Sequence, residues 1–165
     1  MKKFLLICAV LFVVNVGCKK MNIGGEGLCA CSPMRGPELN LVIQNEAGLD
    51  LLATANTGSY PKEKIQLYKK DAEGKVVPLN FGIRSPFSYG DENFTKYFLF
   101  SNDLRSSSAT GNSIIFLKLG DKVYELNLLF NKEKFDVDRL LIDNKEVQKD
   151  KGTVANYLSI FYLTE

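Results

Sequence analysis

The side chains of this chain that could do chemistry are carboxylates and thiols, because its 165 residues include no histidine. That absence removes Ser-His-Asp and Cys-His catalysis, imidazole metal sites and the side chain most often used as a base near neutral pH. Asp50, Asp91, Glu92 and Asp103 are of the type that a glycosidase pairs across its scissile bond, but nothing in their spacing sets two of them opposite each other. They read as surface acids on a solvated domain. Asp136-Val137-Asp138 followed by Asp143 offers oxygens to a calcium ion, yet the central glycine and terminal glutamate of an EF-type loop are missing. Cys29 and Cys31 have one residue between them, a poor spacing for a disulfide, and two thiols lack the further ligands that zinc requires. No glycine-rich phosphate loop or nucleotide fingerprint occurs. The expectation is a chain that is not an enzyme and has no cofactor and no metal.

Recognition is the chemistry that remains. Phe81–Phe94 (FGIRSPFSYGDENF) reads as a long loop that places Phe81, Phe87, Tyr89 and Phe94 around Arg84, Asp91 and Glu92. Arg84, Phe87 and Tyr89 are the candidate ligand contacts, since a mixture of rings and charge suits a protein hot spot or sugar stacking. The competing reading is that the rings fold back to seal one end of the fold. A protein partner is the first expectation. A glycan is the alternative, weakened because the chain has no tryptophan, the usual sugar platform.

The elements that must position these residues have a period of two. Leu39, Leu41 and Ile43 alternate with Asn40, Val42 and Gln44, which predicts a strand with one fully apolar face. Leu49–Leu52 reads as a short strand, and Ile65–Lys69 and Lys75–Leu79 as a pair around Asp71-Ala72-Glu73-Gly74. Pro78 cannot donate to a ladder, so its strand belongs at an edge. Lys96–Ser101 (KYFLFS) is apolar on both faces, hence central. Ile114–Leu119 and Lys122–Phe130 form a hairpin through Gly120-Asp121, with Tyr124, Leu126, Leu128 and Phe130 on its apolar face. Ser101–Asn112 reads as a polar connection, Asp143-Asn144-Lys145 as another tight turn, and Val154–Leu163 as the last strand. No segment keeps helical spacing beyond two turns. Eight or nine strands at this spacing predict an all-β fold, an antiparallel, immunoglobulin-like β-sandwich, with a closed β-barrel as runner-up.

The N-terminus sets the address. Lys2 and Lys3 precede the apolar run Phe4–Val14, too short to span a bilayer, and Asn15-Val16-Gly17-Cys18 closes it. This layout resembles the signals cut by the lipoprotein-specific signal peptidase, with Gly17 and Cys18 fitting the cleavage box and Asn15 standing where leucine is usual. The resemblance implies that residues 1–17 are a signal peptide and that Cys18 carries the acyl chains, which anchor at about 0.8 kcal/mol per buried methylene. A second box, Leu28-Cys29-Ala30-Cys31, lies too far from the apolar run. Residues 18–37 then read as a lipidated tether rich in glycine and proline, with a reach of about 25 Å, and residues 38–165 as a single β-sandwich domain. Removing residues 1–17 takes Lys2 and Lys3 and no acid, so 21 Lys+Arg falls to 19 against 19 Asp+Glu. A neutral chain with no Lys/Arg cluster beyond isolated pairs such as Lys19-Lys20 gives no footprint for nucleic acid.

From Leu39 to Val147 the chain resembles the small β-rich lipoproteins of unknown function common in Bacteroidetes. The resemblance rests on the opening strand, on Gly48-Leu49-Asp50-Leu51-Leu52, and on Gly58-Ser59-Tyr60 leading to Lys64-Ile65-Gln66-Leu67-Tyr68. It implies an envelope lipoprotein and carries over no catalytic residue. Lys19 follows the anchor where aspartate resembles an inner-membrane retention signal, and no acidic cluster resembling a surface-export tag follows. The expected location is therefore the outer membrane, facing the periplasm rather than the cell surface. Mass spectrometry of the mature protein should find an acylated Cys18 at its N-terminus; an unmodified Cys18 or a start at Cys31 contradicts the assignment.

Overall fold

Leu39–Gln44 forms strand β1, as its alternation predicts, but both of its faces are buried: Leu39, Leu41 and Ile43 on one side, Asn40 and Val42 on the other. The structure, a computed structural model, describes residues 36–104, 112–131, 133, 136–152, 154 and 157–165, with the side chains of Tyr89 and Asn112 set aside. These residues belong to one unit, Arg35–Glu165. Cys18, Cys29, Cys31 and the tether up to residue 35 lie outside the described residues, as does 105–111 within the polar connection.

One sheet is built around β1. The strand β12 (Ile160–Thr164) pairs with it in parallel, from Asn40↔Ile160 to Gln44↔Thr164. On the other side β7 (Phe98–Ser101) pairs antiparallel, and β4 (Gly82–Arg84) pairs antiparallel with β7, giving the order β12-β1-β7-β4. The second sheet contains β2 (Ile65–Lys70), β3 (Val76–Pro78), β8 (Asn112–Leu119), β9 (Lys122–Asn131), β10 (Asp136–Ile142) and β11 (Lys145–Glu146). Its order is β11-β10-β9-β8-β2-β3, and every pair in it is antiparallel. A separate hairpin, β5 (Phe87–Tyr89) with β6 (Glu92–Phe94), completes the strands.

The inner faces of the two sheets make the main core. Leu39, Leu41, Ile43, Leu99, Phe161 and Leu163 meet Ile65, Leu67, Ile115, Leu117, Leu119, Leu126, Leu128, Val137, Leu140 and Ile142. Each such side chain contributes about 1.5–3 kcal/mol when taken fully from water. This is a β-sandwich, and its sheets do not close into a barrel.

Turn chemistry sets the register of the larger sheet. Gly120 has φ 57° and stands first in a two-residue loop, with Leu119 paired to Lys122, as a type II′ turn demands. Asp143 and Asn144 both have positive φ, 49° and 65°, in the loop that pairs Ile142 with Lys145. These two residue types tolerate the left-handed region best after glycine. Asp71 Oδ1 accepts the N–H groups of Glu73 (3.0 Å) and Lys75 (2.8 Å), which holds the β2–β3 turn. Pro78 does stand on an edge strand, and KYFLFS does run centrally, between β1 and β4.

Two expected strands are shortened. Leu49–Leu52 makes only an isolated bridge, Gln44↔Asp50, because the Asp50 carboxylate takes backbone donors that a ladder would otherwise need: the Leu52 N–H at 2.8 Å and the Tyr97 N–H at 2.6 Å. Val154–Leu163 enters the sheet only at Ile160, since the N–H groups of Tyr157 and Leu158 both turn back to the Val154 carbonyl at 3.0 Å. The loop expected over 81–94 instead contains three short strands. Among the described residues no helix is long and apolar enough to cross a membrane.

Leu126 and Leu128 are fully buried, while Asn127 faces away from the main core with Ile114 as its neighbour on β8. Leu126→Ala should therefore cost about 2–5 kcal/mol and Asn127→Ala much less. A denaturant titration of the two variants checks this, and the opposite ranking would mean a register shifted by one residue.

Candidate functional site

The outer face of the β1 sheet carries the residues singled out for recognition. Side chains alternate along β7, so Leu99 enters the main core while Phe98 and Phe100 stand on the opposite face. Across the strand pair, Phe98 faces Arg84 and Phe100 faces Gly82. The Phe100 ring lies over Gly82 so closely that an added Cβ there would meet its Cε1 at 2.5 Å. A glycine opposite an aromatic lets the ring fold down over the strand backbone.

Arg84 uses the same rings as a floor. Its guanidinium carbon sits 5.5 Å from the Phe98 centroid and 5.0 Å from that of Phe100, while the residue as a whole is exposed. Stacking of this kind contributes about 0.5–1 kcal/mol at an exposed site and narrows the rotamers that the side chain visits. The two ion pairs found among the described residues are Lys122–Glu165 and Arg139–Glu146, so no carboxylate there neutralises Arg84.

The β5–β6 hairpin closes over Phe98. Gly90 has φ 60° at its tip, and Ser88 Oγ bonds Asn93 Oδ1 at 2.6 Å across it. Phe87 and Phe94 lie 5.7 Å apart and meet Phe98 at 6.1 and 5.8 Å with edge-on geometry. Together with Val42, Val154 and Ile160 they form a second apolar cluster outside the main core. The Val154 N–H donates to Glu92 Oε2 at 3.0 Å, which ties the hairpin to the chain leading into β12. The structure thus brings Arg84 and Phe87 to one aromatic cluster through their shared contact with Phe98. Phe94 is buried and Phe87 half-buried within that cluster. Tyr89 pairs through its backbone with Glu92, and its side chain lies outside the described residues.

Sequence reasoning missed the hairpin and the ring floor. Both had a signal: Gly90-Asp91 repeats the dipeptide already read as a hairpin at 120–121, and the alternation in KYFLFS puts its two central phenylalanines on one face. Five of the seven acids considered for catalysis and calcium, Asp50, Glu92, Asp103, Asp136 and Asp143, serve backbone and side-chain donors at separate places. Asp50 holds Leu52 and Tyr97, and Asp103 Oδ2 accepts both the Asn80 N–H (2.7 Å) and its Nδ2 (2.9 Å). Asp136 Oδ2 accepts from Ser159 Oγ at 3.1 Å, and Asp143 Oδ1 from the Glu125 N–H at 3.0 Å. Among the described residues no three acidic, cysteine or histidine side chains gather around a metal-sized space.

A second polar cluster had no sequence signal, because its members come from segments distant in sequence. Glu165, whose side chain is only 8% exposed, accepts a hydrogen bond from Tyr60 at 2.7 Å and another from Tyr124, and pairs with Lys122 at 3.5 Å. Burial, then the hydrogen bond and the charge of Glu165, pushes Tyr60 up to about 12 and Tyr124 up as well. Burial and the Asp150 carboxylate push Tyr162 up to about 12. Beside this cluster lies a shallow open depression lined by Glu63, Lys64, Gln66, Lys118, Gly120 and Asp121, whose mixed charges converge on no reacting atom.

These phenols keep their protons longer when folded, so above the ordinary tyrosine value of 10.0 the unfolded chain releases protons first. The stability they contribute is complete below pH 10 and falls as pH rises through about 12. Urea midpoints measured across this window should decline, and less so in Tyr60→Phe/Tyr124→Phe, which isolates the share of the phenols. An equal decline in both proteins would contradict the assignment.

No protein-family model, no curated protein and no solved structure matches this chain.

Proposed function

We propose that the chain is a non-enzymatic envelope lipoprotein, anchored in the outer membrane through acylated Cys18 and facing the periplasm. Its β-sandwich binds a protein partner through Arg84 and Phe87. The observation that carries this reading is the Arg84 guanidinium: exposed, held over Phe98 and Phe100, and unmatched by any acid among the described residues. A cation kept in place by its own fold offers bidentate recognition of a carboxylate with little further loss of side-chain freedom. Arginine beside aromatic rings is also the composition on which binding energy concentrates in protein interfaces.

The non-enzymatic part rests on the acids. Asp50, Asp103 and Glu92 each accept bonds from backbone N–H groups at three separate places. A glycan is the alternative partner. It has less support, because stacking a sugar needs an open ring face and Phe87 is half-buried against Phe94 and Phe98.

Affinity capture from envelope extracts with the full, acylated chain tests the reading. Arg84→Ala and Phe87→Ala should each weaken capture of the partner by about 1–2 kcal/mol while the domain stays folded. If Phe87→Ala instead lowers the melting temperature and leaves capture per folded molecule unchanged, the ring is a plug and the reading fails.

A further inference from the structure

Four strands stand at the edges of the two large sheets, and three of them are closed to another strand. β3 carries Pro78, which has no N–H to give. β11 is two residues long. β12 is covered by residues 148–150, where the Tyr162 N–H donates to the Gln148 carbonyl at 3.0 Å and the Asp150 N–H to the Ile160 carbonyl at 2.8 Å. The fourth is β4. On its side away from β7, no backbone hydrogen bond from the described residues reaches Gly82, Ile83 or Arg84.

Cations bracket that open edge, each seated on an aromatic ring. Lys62 Nζ lies 5.8 Å from the centroid of Phe81, the residue immediately before β4, and Arg84 at the other end lies over Phe98 and Phe100. The two are on opposite faces: Phe81 packs against the main core, whereas Arg84 stands over the outer rings. Neither belongs to the ion pairs found among the described residues.

We propose that the β4 edge takes an extended acidic segment of a partner protein as an added strand, its carboxylates meeting Arg84 and Lys62. This rests on the reading of Arg84 as a partner contact and names the partner's chemistry. Main-chain hydrogen bonds to an edge supply affinity, and alternate side chains supply choice of partner. From Phe81 to Arg84 the chain advances about 10 Å. Acids three residues apart on the incoming strand therefore point to opposite faces, as the two cations do. A second copy of this chain would bring like charges together at the same edge, so charge favours an acidic partner over self-pairing.

The test uses a fluorescein-labelled peptide, Thr-Glu-Val-Thr-Glu-Val, titrated into the full chain, with backbone amide NMR read in parallel. The expected result is saturable binding, with the largest amide shifts at Gly82, Ile83 and Arg84. Replacing both glutamates of the peptide by glutamine, or Arg84→Gln in the protein with binding scored per folded molecule, should weaken binding about tenfold. N-methylation of the two central peptide bonds should abolish it. No saturable binding at millimolar peptide, shifts centred elsewhere, or indifference to N-methylation overturns the proposal. If the edge fails while envelope capture still depends on Arg84 and Phe87, the partner reading survives; if capture is also indifferent to both residues, that reading falls too.

Discussion

A strand buried on both faces needs a cover on each, and β1 is such a strand. Leu41 and Val42, adjacent in sequence and opposite in direction, are both fully buried. The six-stranded sheet covers the Leu41 side. On the Val42 side, among the described residues, the cover comes from the β5–β6 hairpin and the segment through Val154 that leads into β12. Removing water from this second face falls mainly to aromatic rings, because a three-residue hairpin strand can bring few side chains and each must cover much area. Phe87, Phe94 and Phe98 do this, with Phe100 beside them.

The candidate site is a consequence of that cover. The hairpin reaches Phe98, and the part of the ring surface nearest β4 is capped by the Arg84 guanidinium. Arg84 thus shields apolar surface with its planar head while its charge stays in water, the compromise that long basic side chains make on a protein surface. The same contact that helps to hold the fold leaves a positioned cation at an open sheet edge. In the proposed function, stability and recognition share one side chain, as expected where a binding group is held by packing rather than by a flexible loop.

The parallel pairing of β1 with β12 binds the two ends of the described chain. Glu165, just after β12, donates its N–H to the Gln44 carbonyl and accepts the Tyr60 and Tyr124 hydroxyls on its side chain. Its carboxylate therefore joins three segments that are distant in sequence. Most of the sandwich forms through local hairpins such as β8–β9 and β9–β10, whereas β1–β12 joins residues about as far apart as the domain allows. The loop-closure entropy of that pairing grows only slowly with length, so the tyrosine–carboxylate cluster has a modest cost to offset.

What the sequence by itself determined is what short-range physics controls. Alternation identified β1 and β9 and set their inward faces, because side chains in a strand change sides at every residue, and turn residues placed β2 and β8 beside them. Gly120 and Asp143-Asn144 marked their turns, because few residue types enter positive φ without strain. Arg84, Phe87 and Tyr89 stood out by composition alone. Tertiary structure decided the rest. That Asn40 and Val42 would be as dry as Leu41 depended on which distant segment covers them. That Asp50 would end a strand, and that Val154–Leu158 would turn before entering the sheet, depended on hydrogen bonds made through space. Above all, the floor under Arg84 comes from β7, fourteen residues further along the chain at Phe98, and cross-strand neighbours are fixed by pairing and register, which no local pattern encodes.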